Sequence, residues 1–388
     1  MRLIDRTLDL VASPIAEAHA WLAYREGDRE LLDMSQAAPS YPTAPEIVSR
    51  IAEVAASPDG GRYAPPPGLV ELNEAFSAEL STDYQANIGP NQVIPTGGCN
   101  QAFCVTTSAL ASPGDEIIVP VPYYFNHDMW LKLDGVRPVY LEPNADMVPC
   151  PEKAENLITE RTRAIVLVTP ANPTGAITPP EVIDQFADLA VSHNIALIVD
   201  ETYRNFRSTD APPHRLFQRP DWTDTVISLH SFSKDLAIPG YRVGAIAAGE
   251  KVIYEMMKLI DCVQISAPRI GQEAVIAGLC HASEWRRAQA SRILDLLNKF
   301  EDVMKDAPGG FKLVSAGAFF GWVSHPRSDL SSAEVIKRLV LDHDVLAIPG
   351  TAFTPDDRGF LRFSFANLDH RQLDELGVRL QEFGATAP

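Results

Sequence analysis

Three residues that could handle a proton and a bound carbonyl compound stand just past three strand-like runs of this chain. Lys234 closes Ser231-Phe232-Ser233-Lys234, after the apolar run Val226-Ile227-Ser228-Leu229, and Arg242 and Gly244 follow it. A lysine with a hydroxyl three residues before it and an arginine eight after it suggests a Schiff-base lysine beside a phosphate clamp. Such an amine holds an aldehyde covalently and later moves a proton. Asp200 opens Asp200-Glu201-Thr202-Tyr203, and Asn172 lies in Thr169-Pro170-Ala171-Asn172-Pro173-Thr174-Gly175. Each has a bland reading in isolation: a solvated surface lysine, a helix N-cap aspartate, an Asn-Pro turn. Three of them at successive strand ends point to one cleft, because open α/β sheets bind ligands outside the carboxyl ends of their strands.

The elements that must position them read as alternating strands and helices. Short β-branched runs at 116–119, 164–168, 195–199 and 226–229 have the continuous apolar character of buried parallel strands. Between them, 180–193 carries Val182, Ile183, Phe186, Leu189 and Ala190 at helical spacing. Alternation of this kind predicts a parallel sheet with right-handed crossovers. A helix over about 284–304 with Trp285, Ile293, Leu296 and Phe300 on one side leads to a smaller C-terminal lobe. That lobe is expected to contain a strand at 317–322, a helix near 332–342 and a strand at 361–365.

With 388 residues, one small core is not enough and two lobes are expected. The formal net charge of -18 disfavours nucleic acid as a partner. Cys99, Cys104, Cys150, Cys262 and Cys280 are odd in number and show no Cys-x-x-Cys pair. Neither a disulfide framework nor a metal site is expected, and a reducing cytoplasm fits best. The mixed-charge start, Met1-Arg2-Leu3-Ile4-Asp5-Arg6, leads into no long apolar stretch, so no signal peptide and no membrane span are expected.

Taken in order, the Asn-Pro-x-Gly, Asp-x-x-Tyr and Ser-x-Ser-Lys blocks and the late Arg362-Phe363-Ser364 resemble a fold-type I pyridoxal-phosphate enzyme of the class I/II aminotransferase family. The matching blocks run from about residue 32 to 367. The resemblance implies an α/β fold with a large cofactor-binding domain over 46–283. A small α+β domain would be formed by 1–45 and 284–388.

The resemblance also implies roles. Lys234 would hold pyridoxal 5'-phosphate and move the α-proton, and Asp200 would keep the ring nitrogen protonated, since a carboxylate favours pyridinium. Asn172 and Tyr203 would donate to the ring's phenolic oxygen, with Asn172 also beside the substrate. Tyr124, in Pro122-Tyr123-Tyr124-Phe125-Asn126-His127, would stack on the ring, and His127 would support Asp200. The phosphate would meet backbone amides of Gly98, Cys99 and Asn100 at a helix start, together with Ser231 and Arg242. Tyr63 would reach the phosphate of a neighbouring subunit, which makes the active unit a homodimer with shared sites. Arg362 would bind the substrate carboxylate bidentately.

The chain departs from the family at two places. Ala37-Ala38-Pro39 stands where the family commonly has Gly-x-Pro, and no arginine aligns with one that would read a second substrate carboxylate. Asp261 lies in that region, with Arg269 just beyond it. The leading expectation is an aminotransferase that passes an amino group from an amino acid to a 2-oxo acid in ping-pong order. A carbon-sulfur β-lyase shares the same motifs. A non-catalytic regulator is disfavoured by the acidity, and because the matched blocks start close to the N-terminus no added DNA-binding domain is expected.

Overall fold

The computed structural model describes residues 1–209 and 211–385. Thirteen strands appear among them. They are β1 (Leu32–Asp33), β2 (Val93–Thr96), β3 (Glu116–Pro120), β4 (Arg137–Leu141), β5 (Thr162–Val168), β6 (Ala196–Asp200), β7 (Val226–Ser231), β8 (Gly244–Ala247), β9 (Lys312–Gly317), β10 (Phe320–Ser324), β11 (Val345–Leu346), β12 (Ile348–Pro349) and β13 (Phe360–Phe363). Seven form one sheet in the order β2-β8-β7-β6-β5-β3-β4, in which β8 alone runs against the others.

Alternate side chains of these strands feed two apolar layers, which is why the runs read as continuously hydrophobic. Ile165, Leu167, Leu197 and Val199 pack on one face with Ile183, Phe186 and Ala190 of the helix Pro180–His193. Ala164, Val166, Ile198 and Leu229 pack on the other with Phe103, Ile253 and Met256. The register then aligns the strand ends: Val168 pairs with Asp200, and Asp200 pairs with Leu229. Polar residues that follow β5, β6 and β7 are thereby delivered to one edge.

A second layer is the antiparallel sheet β12-β13-β10-β9, beside the two-stranded β1-β11. Its core gathers Leu32, Met34 and Tyr41 from the N-terminal part with Ile293, Leu296 and Phe300 of the helix Ser283–Met304. Arg362 of β13 sits opposite Trp322 of β10.

The strand expected at 317–322 is two strands. β9 stops at Gly317, Ala318 turns through a positive φ of 48°, and β10 restarts at Phe320. An unbroken apolar string hid the turn, because Ala is not a turn former. β2, β4 and β8 were not expected, and β6 ends one residue later than 195–199 implies, so that Asp200 closes the strand.

Candidate active site

Asp200 ends β6 with its carboxylate buried, and three neighbours hold it. His127 Nε2 lies 3.3 Å from Oδ2, the Thr202 amide donates to Oδ1 at 3.0 Å, and the Cys99 thiol approaches Oδ1 at 3.7 Å. Burial pushes this carboxyl up, but the His127 contact and the Thr202 donors outweigh it and hold it below the usual range. His127 is itself fixed by Phe103, whose ring stacks on it with centroids 3.8 Å apart.

Lys234 follows β7 and is partly buried; its Nζ donates to the Ala37 carbonyl. Burial, then the positive charges of Arg362 and Arg242, push the amine down to about 8. A lysine tuned this way gives up its proton near neutral pH, which a nucleophilic or basic amine requires.

One end of the cavity is built for an anion. Gly98 caps the helix Cys99–Leu110 with a positive φ of 91°, and a Cβ there would lie 2.4 Å from Arg242 Nη2. Only glycine satisfies both the backbone and the arginine. Gly244, paired with Thr96 and Ser231, is also tight, since a Cβ would come within 2.6 Å of the Cys99 amide nitrogen. Helix-start amides, the Arg242 guanidinium and the Ser231 hydroxyl therefore share one corner.

Arg362 lines the same cavity and is only 2 % exposed. Its Nη1 donates to Asn172 Oδ1 at 3.1 Å and its Nη2 to the Ser35 carbonyl, while Nε has no partner among the described residues. Phe320 and Phe353 flank the guanidinium at 5.1 and 4.9 Å. Burial lowers it to about 10, so it stays charged at neutral pH. Tyr203 packs between Phe319 and Phe320, and burial lifts its phenol well above the ordinary value, which keeps it a donor. Tyr124 donates to Asn126 Oδ1 at 2.8 Å and lies 3.3 Å from Asn100 Oδ1; burial raises it to about 12.

These side chains surround a cavity of about 370 Å³. Lys234, Asp200, Asn172, Tyr203, Cys99, Asn100, Tyr124, Ser231, Arg242 and Arg362 all line it. His127 stands behind Asp200 and Gly98 behind Arg242. Tyr63 does not line it; that side chain is 75 % exposed on the same chain. Asp261 and Arg269 do not line it either, and Arg269 Nη1 faces Glu273 Oε1 at 3.6 Å. Ser13, Ile15, Gln36 and Thr202 line it without having been singled out. For Thr202 the signal was adjacency to Asp200; Ser13 and Ile15 come from a distant segment with no local motif.

Behind the sheet end lies a second polar cluster. Glu201, 1 % exposed, accepts from Tyr84 and Ser228, and His214 Nε2 lies 3.3 Å from its Oε2. Ser228 Oγ also meets His230 Nε2 at 2.9 Å. Despite burial, His214 and the other donors hold the Glu201 carboxyl well below the usual range.

Residues 29–380 match the family described as aminotransferase class I and II. The aspartate/prephenate aminotransferase of Thermus thermophilus is 31% identical over 353 residues, 89% of each chain. The aspartate aminotransferase of Pyrococcus abyssi is 27% identical over 387 residues, 98% of each chain. A solved structure of Thermus thermophilus aspartate aminotransferase with maleate has a TM-score of 0.86 at 27% identity, covering 98% of this chain and 100% of that one.

Proposed function

Because the chain belongs to the class I and II aminotransferase family, we propose that the cavity at the ends of β5, β6 and β7 is where it carries out amino transfer with pyridoxal 5'-phosphate. The reaction itself moves an amino group from an amino acid to a 2-oxo acid in ping-pong order, as in the family. One observation carries the site assignment: Lys234, Asp200, Arg242 and Arg362 converge on one cavity, with two guanidiniums suited to anionic groups and one carboxylate suited to a cationic one.

The donor set fits this cofactor. The corner of Gly98, Arg242 and Ser231 suits a phosphate, because the missing Cβ of Gly98 lets the Arg242 guanidinium lie against the helix start. The buried Asp200 carboxylate suits a protonated ring nitrogen. Arg362 lines the same cavity and supplies a guanidinium for an anionic group of a guest. When bound, the cofactor supplies an electron sink for the carbanion left by α-proton removal.

The chain's own residues do the rest. Lys234 would hold the cofactor, and its Nζ would accept the substrate's α-proton, a task that suits an amine whose charge burial and two arginines disfavour. Asp200 stays anionic because His127 and Thr202 hold it so, and it keeps the ring nitrogen charged. Asn172 and Tyr203 would donate to the phenolic oxygen, and Tyr124 would pack against the ring. Arg362 forks onto the α-carboxylate and orients the α-hydrogen toward Lys234. Gly98, Cys99 and Asn100 amides, Ser231 and Arg242 fix the phosphate.

The exposed Tyr63 fits a role on a partner's phosphate, and a homodimer with shared sites is proposed on that ground. A cytoplasmic location is proposed from the five cysteines, all of them free. No helix among the described residues is long and apolar enough to cross a membrane.

Purified protein saturated with the cofactor, mixed with single amino donors, tests the reading. Stoichiometric pyridoxamine phosphate and 2-oxo acid are expected. Release of pyruvate and ammonia would instead mark a lyase. Aspartate heads the donor screen because the relatives are named for it.

A further inference from the structure

A larger cavity, of about 490 Å³, lies on the far side of the Lys234 segment. Its walls come from the helix Val70–Asp83, the segment after β6, Asp235 and the helix Ser283–Met304. Four arginines line it, Arg204, Arg207, Arg286 and Arg287, against three carboxylates, Glu79, Asp83 and Asp235.

The carboxylates are already committed. Arg204 pairs with Glu79 and Asp83, and Arg286 pairs with Glu79 at 2.6 Å and with Asp235 at 2.9 Å. Among the described residues, two guanidiniums are left over. Arg207 is half-buried and, among the described residues, donates only to main-chain carbonyls, from Nε to Arg204 at 2.9 Å and from Nη2 to Ala211 at 2.8 Å. Those two bonds fix its fork and leave Nη1 to the cavity. Arg287, on the outer rim, pairs with no carboxylate among the described residues. Burial disfavours the Arg207 charge and lowers its pKa, so a counter-charge in the cavity would stabilise it.

We propose that this cavity binds a small oxyanion, a phosphate or carboxylate head group, gripped by Arg207 and Arg287. Guanidinium forks match the paired oxygens of both. The Ser283 and Ser291 hydroxyls, on the same helix as Arg287, add neutral donors. The occupant would lie against the backs of two active-site segments, since Arg204 follows Tyr203 and Asp235 follows Lys234.

Calorimetric titration of the cofactor-saturated enzyme tests this, with inorganic phosphate in one arm and acetate in the other. One anion per chain is expected to bind, and the tighter of the two identifies the head group. Arg207→Ala/Arg287→Ala should weaken it at least ~10-fold, the scale of losing charge-assisted hydrogen bonds. Arg287→Ala alone, at the exposed rim, should give a smaller loss with the fold and basal turnover intact. Arg362→Ala should leave it unchanged, which separates this site from the substrate-carboxylate site. No binding of either anion at millimolar concentration overturns the proposal. So does binding that survives the double substitution, or that disappears with Arg362→Ala.

Discussion

Asp200 and Glu201 are neighbours in sequence, both carboxylates, both buried at the end of β6, and they face opposite sides of the sheet. Asp200 is held by His127, Thr202 and a thiol, and it lines a cavity. Glu201 is enclosed by Tyr84, Ser228 and His214, and it lines none of the cavities described above. Both are kept anionic against burial by their donors. The difference lies in what is left over. Around Glu201 the donors belong to the helix Val70–Asp83 and its end, β7 and the segment after β6, so the carboxylate ties elements together. Around Asp200 they steady a charge that still faces open space. A buried carboxylate enclosed by donors maintains the fold, and one with a free edge on a cavity is available for chemistry.

The sharpest way to break this contrast is to neutralise each carboxylate. Asp200→Asn should reduce turnover by roughly two to four orders of magnitude, because an amide cannot hold a ring nitrogen in its charged form. Its urea midpoint should move far less than that of a Glu201 variant. Steady-state kinetics and urea denaturation on the same preparation decide it. Near-normal turnover would make Asp200 merely a cap for Thr202.

Glu201→Ala should behave the other way round. Leaving the buried Tyr84 and Ser228 hydroxyls without their acceptor costs about 1–3 kcal/mol each. The protein that remains folded should turn over at close to the parent rate. If instead turnover collapses while the denaturation midpoint stays put, Glu201 belongs to the chemistry and the comparison fails.

The two carboxylates also differ in how readable they were. Asp200, Tyr203, Asn172, Ser231, Lys234 and Arg242 sit in short blocks next to strand-like runs, so local sequence carries both the residue type and its placement. Glu201 was equally close to that block and went unread. Its partners Tyr84, His214 and Ser228 are scattered along the chain, and only tertiary packing brings them to it. Arg362 was legible from its motif, but its Ser35 and Asn172 contacts were not. The large sheet was legible where strands were buried on both faces. β2 and β8, four residues each, were too short to stand out. β4 has an exposed Arg137 and no fully apolar run. The β9–β10 turn was masked by apolar residues.

The same contrast holds among cations. Arg204 is saturated by two carboxylates, whereas Arg362 lines a cavity and pairs with no carboxylate among the described residues. Arg362→Ala should therefore leave the absorption spectrum of the resting enzyme nearly unchanged while weakening amino acid binding by about 1.5–3 kcal/mol. That is roughly a 10- to 150-fold rise in KM. An unchanged KM across several donors would mean that the substrate carboxylate is read elsewhere.

The smallest effect concerns the imidazole on the Glu201 side. His230 is 2 % exposed, and burial lowers its pKa from 6.5 to about 4, with Glu201 opposing the shift. Between those values the unfolded chain binds a proton that the folded chain does not, so stability must fall as pH falls. The contribution is fully present above 6.5 and lost progressively toward 4. Lowering the pH from 7 to 5.5 should therefore cost about 1.2 kcal/mol from this group alone. His230→Asn keeps a hydrogen-bonding group near Ser228 and cannot titrate, so its stability curve should be flatter by that amount. Other groups titrate equally in both proteins, and their contributions cancel in the difference. Parallel urea denaturation of parent and variant at the two pH values provides the measurement. Parallel curves would mean that His230 takes up its proton in the fold as readily as in the unfolded chain, which would place a cation beside Glu201 at the lower pH.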